Sequence, residues 1–201
     1  MKNHDFISGY LAEMENIARN IPREDIDMVV ELLYNAWQQG SQVFICGNGG
    51  SAGTASHFTC DLAKATVVDG NRRFKAICLN DNASLISALT NDNGFDNLYT
   101  EQLINLCRPG DVLICISVHG GAGKDKAGMW SQNLLKAMKY MKEKGGKTIG
   151  FSGFSGGPMK EVADACVVVP AESTPQVESF HLALEHLVCA CLKEKIAESC
   201  N

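Results

Sequence analysis

Two stretches of this chain carry side chains that can move protons or hold a metal. His57 and Asp61 are four residues apart, so on a helix both project from one face. An imidazole and a carboxylate so placed can share a metal or work as an acid–base pair. Taken alone, the pair also reads as an ordinary exposed i,i+4 contact. Near the carboxyl end stand Glu178, His181, Glu185 and His186. Residues 178, 181 and 185 share a helical face, whereas His186 lies about 80° around from Glu178 and ~12 Å along the axis. A metal held by both Glu178 and His186 needs reach from both side chains, or a Glu178 at a frayed helix start. Without further information the group reads equally as the polar flank of a packed helix.

Glycine-rich segments supply a second kind of chemistry. In Gly47-Asn48-Gly49-Gly50-Ser51-Ala52-Gly53 the glycines let backbone amides converge, and a following helix, with Ser51 as its natural N-cap, adds partial positive charge. The loop therefore suits a phosphate or carboxylate; a tight turn without a ligand is the alternative. Gly47, Gly49 and Ala52 also fit a dinucleotide fingerprint, with Asp69 following 22 residues after Gly47, a weak match by itself. A second segment, Ser117 to Lys124, offers a hydroxyl, an imidazole at His119, an ammonium and free amides ahead of a helix expected to start at Ser131. Val118 and Asp125 exclude a Walker A loop, and a plain crossover loop remains the competing reading. A third, Ser152 to Pro158, reads as structural, since proline suits the first turn of a helix.

These loops need strands and helices to hold them. Apolar runs at Val43–Cys46, Lys75–Leu79, Val112–Ile116, Thr148–Phe151 and Ala165–Val169 are short and continuous, as in strands buried on both faces. Helical stretches separate them. The segment Asp25–Gln38 carries Ile26, Val29, Val30, Leu33, Ala36 and Trp37 at helical spacing, and a long helix is expected from Gln176 to about Ala197. The alternation predicts an α/β chain with a parallel sheet of βαβ units, whose ligands bind at the carboxyl ends of strands.

Composition agrees with one globular domain spanning 1–201. Hydrophobic residues are 45% and charged residues 20% of the chain. A net charge of −5 argues against nucleic-acid or anionic-membrane partners. The amino end has no basic start followed by an apolar core and a cleavage site, and no apolar run could span a bilayer, so a cytoplasmic protein without a membrane partner is expected. The nine cysteines include no CxxC pair and read as reduced core residues.

The segments Cys46-Gly47-Asn48-Gly49-Gly50-Ser51-Ala52, His57, Asn91-Asp92-Asn93-Gly94-Phe95, Arg108-Pro109-Gly110-Asp111-Val112-Leu113 and His181-x4-His186 together resemble the sugar isomerase (SIS) domain. Within that family the chain is most similar to the phosphoheptose isomerases, which interconvert sedoheptulose 7-phosphate and an aldoheptose 7-phosphate. The resemblance covers about Val43 to Cys189. It implies a five-stranded, flavodoxin-like three-layer fold, a homotetramer with sites at subunit contacts to which residues 1–40 contribute, and a divalent metal, usually zinc.

Carried over by position, the resemblance puts the metal on His57, Asp61, Glu178 and His186, with Asp61 and His186 as the catalytic pair. It puts the phosphorylated sugar on Asn48, Gly49, Gly50, Ser51, Asn91, Asp92, Ser117, Val118, His119 and Lys124. Asp61 stands where the family usually has Glu, and Glu178 where it has Gln. The family's Ser-Thr-Ser-Gly-x-Ser becomes Ser117-Val118-His119-Gly120-Gly121, so loop amides, His119 and Lys124 are expected to replace lost hydroxyls. Two other functions stay open: a non-catalytic SIS module that senses a phosphosugar or binds a partner, and a nicotinamide-dependent oxidoreductase.

Overall fold

A computed structural model describes residues 3–121 and 131–199. Helix α1 (Asn3–Asn20) precedes α2 (Arg23–Gln39), in which the six apolar positions at helical spacing are all buried. Gly40 ends α2 in the left-handed conformation, φ 69°, and the amides of Gly40 and Ser41 cap the carbonyls of Trp37 and Ala36 at 3.1 and 2.9 Å. The chain continues through β1 (Gln42–Gly47), α3 (Gly50–Lys64), β2 (Lys75–Cys78), α4 (Ala83–Asn93), α5 (Leu98–Leu106) and β3 (Val112–Ile116). It then forms α6 (Gln132–Glu143), β4 (Lys147–Ser152), α7 (Gly157–Val162), β5 (Ala165–Val168) and α8 (Thr174–Glu198).

All five strands pair in parallel in the order β2-β1-β3-β4-β5. Each expected apolar run is a strand, within a residue at either end. Alternate side chains serve opposite layers: Val43 and Ile45 pack with α2, α3 and α8, while Phe44 and Cys46 pack with α5 and α6. Burial on both faces explains why β1, β3 and β4 read as unbroken apolar runs. The strand order reverses between β1 and β3, and the carboxyl ends of two neighbouring strands there open a crevice for ligands. Gly47 pairs in register with Ile116, so the first two glycine loops leave the sheet side by side.

Three local expectations need correction. Ser51 is not the N-cap of α3: the helix begins at Gly50 behind Gly49, and the buried Ser51 donates its amide to the Asn48 carbonyl at 3.0 Å. Gly49 adopts φ 56°, where a side chain would be strained. Asp69 lies before β2, at the edge of the sheet opposite the glycine loops, so it cannot complete a dinucleotide site. The described cysteines are free thiols, but Cys60 and Cys191 are exposed rather than in the core.

Candidate functional site

An open cleft of about 390 Å³ lies over the β1–β3 crevice. The predicted residues Asn48, Gly49, Gly50, Ser51, Ser117, Val118 and His119 line it, as does Glu178. The amino end of α3 turns its positive dipole end toward this space, which favours an anion, while the Ser51 and Ala52 amides are bonded to the Asn48 and Gly49 carbonyls. Ser117 Oγ accepts the Gly121 amide at 3.3 Å, and the Gly120 amide reaches the Ser117 carbonyl at 3.1 Å. Lys124 lies outside the described residues.

Side chains that sequence reasoning missed hold the first loop in place. Asn80, just beyond β2, accepts the Gly47 amide through Oδ1 at 3.1 Å and donates from Nδ2 to the Gly47 carbonyl at 2.9 Å. The buried Tyr99 hydroxyl donates to the same carbonyl at 2.5 Å, with Asn48 Oδ1 a second acceptor at 3.0 Å; burial raises its pKa far above the ordinary phenol value. Asn48 and Asn133 exchange amide hydrogen bonds, both 3.0 Å long, and Asn48 also donates to Ser131 Oγ at 3.2 Å. Asn48 therefore contributes to the cleft by fixing the loop to α5 and α6, with its side-chain amide already engaged. Only the position of Asn80 after a strand was a readable signal; Tyr99 and Asn133 sit inside helices that carry no ligand pattern.

Helices α3 and α8 pack side by side, and a second group of residues gathers between them. His186 Nε2 lies 3.4 Å from both Asp61 Oδ2 and Glu185 Oε1. His57 Nε2 is 3.8 Å from Asp61 Oδ1, and its Nδ1 is 3.9 Å from Glu185 Oε1. The two imidazole rings meet edge to face with centroids 4.9 Å apart. One ligand atom from each of the four residues fits within 4.8 Å of the others. A tetrahedral shell with bonds of ~2.1 Å has edges of ~3.4 Å, so the two His186 spacings already match, while His57, which meets Asp61 and Glu185 through different ring nitrogens, would turn to offer one of them. Both Glu185 oxygens are buried without a hydrogen-bond partner among the described residues, and a buried carboxylate in that condition is costly unless a cation pairs with it. The donor set fits a divalent metal. Burial, and then the Asp61 carboxylate, push the Glu185 carboxyl up to about 8.

The structure brings together three of the four expected metal residues, His57, Asp61 and His186, and puts Glu185 in the fourth place. Glu178 is set apart from this group, about one turn inside the regular helix α8, which begins at Thr174. Its carboxylate rests against Gly50, where an added Cβ would come within 2.5 Å of Oε1. Asn91 and Asp92 are also apart from the cleft: both are exposed on α4, where Asn91 Nδ2 donates to Asp92 Oδ1 at 2.7 Å. His181 faces inward and donates from Nε2 to the Ser152 carbonyl at 3.1 Å.

A cleft for an anion at a sheet switch point, with an acid–base cluster beside it, defines a class of phosphosugar-handling α/β proteins, and comparison with known proteins agrees. Residues 9–153 match the SIS domain model, and the chain belongs to that family. Its relatives include the phosphoheptose isomerase of Aliarcobacter butzleri, 32% identical over 95% of this chain and 97% of that protein. Lincomycin biosynthesis protein LmbN of Streptomyces lincolnensis is 38% identical over 91% of this chain and 67% of its own length. The solved phosphoheptose isomerase of Neisseria gonorrhoeae superposes with a TM-score of 0.84 at 27% identity, covering 96% of this chain and all of that one.

Proposed function

We infer that the protein is an aldose–ketose isomerase that interconverts sedoheptulose 7-phosphate and glycero-manno-heptose 7-phosphate. The observation that carries this reading is the placement of the four-residue cluster relative to the cleft. From Gly50 at the cleft to His57 the helix rises ~10 Å, a distance that a sugar with several carbons between its phosphate and its carbonyl can bridge. Cleft amides and His119 take the phosphate, and the reacting carbons lie along α3 and α8.

Isomerisation needs one group to move a carbon-bound proton and another to move an oxygen-bound one. Asp61 takes a proton from carbon 1 of the ketose while His186 gives one to the oxygen on carbon 2, which forms the enediol. His186 then takes the proton from the oxygen on carbon 1 as Asp61, whose proton exchanges with solvent at the enediol stage, protonates carbon 2, which leaves the aldose. A divalent metal, zinc by the family resemblance, would be held by His57, Asp61, His186 and a further carboxylate and would supply a Lewis acid for charge developing on the two oxygens. Homo-oligomerisation, as a tetramer, goes with this reading: Ile7 and Leu11, four apart on one face of α1, are 54% and 61% exposed, which leaves an apolar helix face to be covered. The proposed location is the cytoplasm; no helix among the described residues is long and apolar enough to cross a membrane.

The test follows sedoheptulose 7-phosphate in deuterated water by NMR. The protein should place deuterium at carbon 2 of the aldose, and His186→Asn should slow that exchange by roughly 10²- to 10⁴-fold while phosphosugar binding persists. Full exchange in the variant overturns the assignment of His186; no exchange by the unaltered protein overturns the function.

A further inference from the structure

We propose that Glu13 of α1 is a positioning residue for the isomerase site: through Gln176 it holds the first turn of α8, from which Thr174 and Glu178 line the cleft. This rests on the isomerase reading of that site and adds to it a control from a helix that lies outside it.

The amino end of α8 is short of local support. Ser173 stands at the N-cap position without a side-chain hydrogen bond, and the first turn carries no acidic residue. A helix start in that state has a positive dipole end without a counter-charge. That charge comes from α1. Gln176, 5% exposed, donates from Nε2 to Glu13 Oε2 at 2.6 Å across 163 residues of sequence. Helical side chains lean toward the amino end of their helix, so the bond sets the Glu13 carboxylate near the start of α8. A hydrogen bond with an ionised partner is roughly twice as strong as one between neutral groups.

The turn held in this way touches both halves of the cleft. Thr174 and Glu178, two positions before and after Gln176, line it directly. Val177 is fully buried, and a Cβ on Gly153 would meet its methyl carbons at 2.5 and 2.6 Å. Gly153 in turn braces the second glycine loop, its amide 2.9 Å from the Val118 carbonyl. Among the described residues no other side-chain hydrogen bond joins α1 to another element, and Ile17 is its one buried residue. Glu13 is thus the polar link between a helix with an open apolar face and the turn that shapes the cleft.

The experiment compares Glu13→Ala, Glu13→Gln and Gln176→Ala with the unaltered full chain. Glu13→Ala should raise the KM for sedoheptulose 7-phosphate roughly three- to tenfold with kcat within about twofold. Hydrogen-exchange mass spectrometry should show the amides of residues 177–180 exchanging at least roughly fivefold faster, while those of residues 54–61 on α3 keep their rates. Glu13→Gln retains an acceptor for the Gln176 amide and should recover most of both losses. Adding Gln176→Ala to Glu13→Ala should cost nothing further, because both remove one contact; should the Gln176 variant not fold, the two Glu13 variants carry the test. An unchanged KM or unchanged exchange at the start of α8 in Glu13→Ala, no recovery in Glu13→Gln, additive losses in the double variant, or a change of molecular mass by light scattering that accompanies the KM rise overturns the proposal. Hydrogen exchange is read without turnover, which separates the two claims. Faster exchange in Glu13→Ala, in a protein that isomerises nothing, overturns only the isomerase reading, whereas unchanged exchange with normal isomerisation overturns only this inference.

Discussion

His181 and Glu185 stand one turn apart on α8, both buried, and burial drives them in opposite directions. The Glu185 carboxyl rises to about 8, whereas the His181 imidazole is pushed down to about 4 from an ordinary 6.5. A buried imidazole with one hydrogen bond, to the Ser152 carbonyl, is held neutral. The unfolded chain takes up a proton at residue 181 as pH falls below 6.5, and the native chain does so only near 4. Stability from this residue is therefore complete above pH 6.5 and is lost as pH falls toward 4. Relative to His181→Gln, which can still donate to Ser152, the wild type should lose roughly 2 to 3 kcal/mol of stability between neutral pH and about pH 4.5. Urea unfolding of both proteins at several pH values measures this, and parallel pH profiles would contradict it.

At the level of elements, the segment from Gly153 to Met159 braces the second glycine loop. The Gly153 amide bonds the Val118 carbonyl and the Met159 amide bonds the Gly120 carbonyl, both at 2.9 Å. Gly120 has φ 64°, and a Cβ there would sit 1.8 Å from the Gly156 carbonyl oxygen. Backbone meets backbone at this point, so no side chain can give way. Gly120→Ala should cost about 2 to 4 kcal/mol in urea unfolding and raise the KM for the phosphosugar, because the loop that faces the anion must shift. Unchanged stability would mean the two loops do not depend on each other. Pro158 made the structural role of the third loop readable, and it does stand at the start of α7. The loop's contact with Gly120 was not readable, since it depends on β3 and β4 being neighbours.

For the molecule as a whole, the acid–base cluster joins α3 to α8 across more than a hundred residues of sequence. A metal bound there ties both helices to the native state and not to the unfolded chain, so it stabilises by mass action. At a free metal concentration a hundredfold above Kd the gain is ~2.7 kcal/mol. For a chain of this size that corresponds to roughly 5 to 10 °C in Tm. Removing the metal with a chelator should abolish isomerisation and lower Tm by that amount, and adding it back should restore both. Thermal melts with and without chelator decide the point; an unchanged Tm argues against a metal that spans the two helices.

Most of the fold was legible along the chain because its signals are local. A parallel strand buried on both faces is a continuous apolar run, and the buried face of α2 repeats with the helical period. Glycine loops after β1 and β3 pointed to the carboxyl edge of the sheet, and the structure puts an open cleft there. His57 and Asp61 could be paired because four residues bring two side chains to one helical face. The choice between Glu178 and Glu185 could not be read in the same way. Both lie on α8, and which one meets His57 and Asp61 depends on how far α8 is displaced along α3. That offset is set by core packing between the helices, which spacing within one helix does not encode. The same reason hid Asn80, Tyr99 and Asn133 as supports of the first loop, and it left Asn91 and Asp92 outside the cleft: each position depends on how separate elements dock.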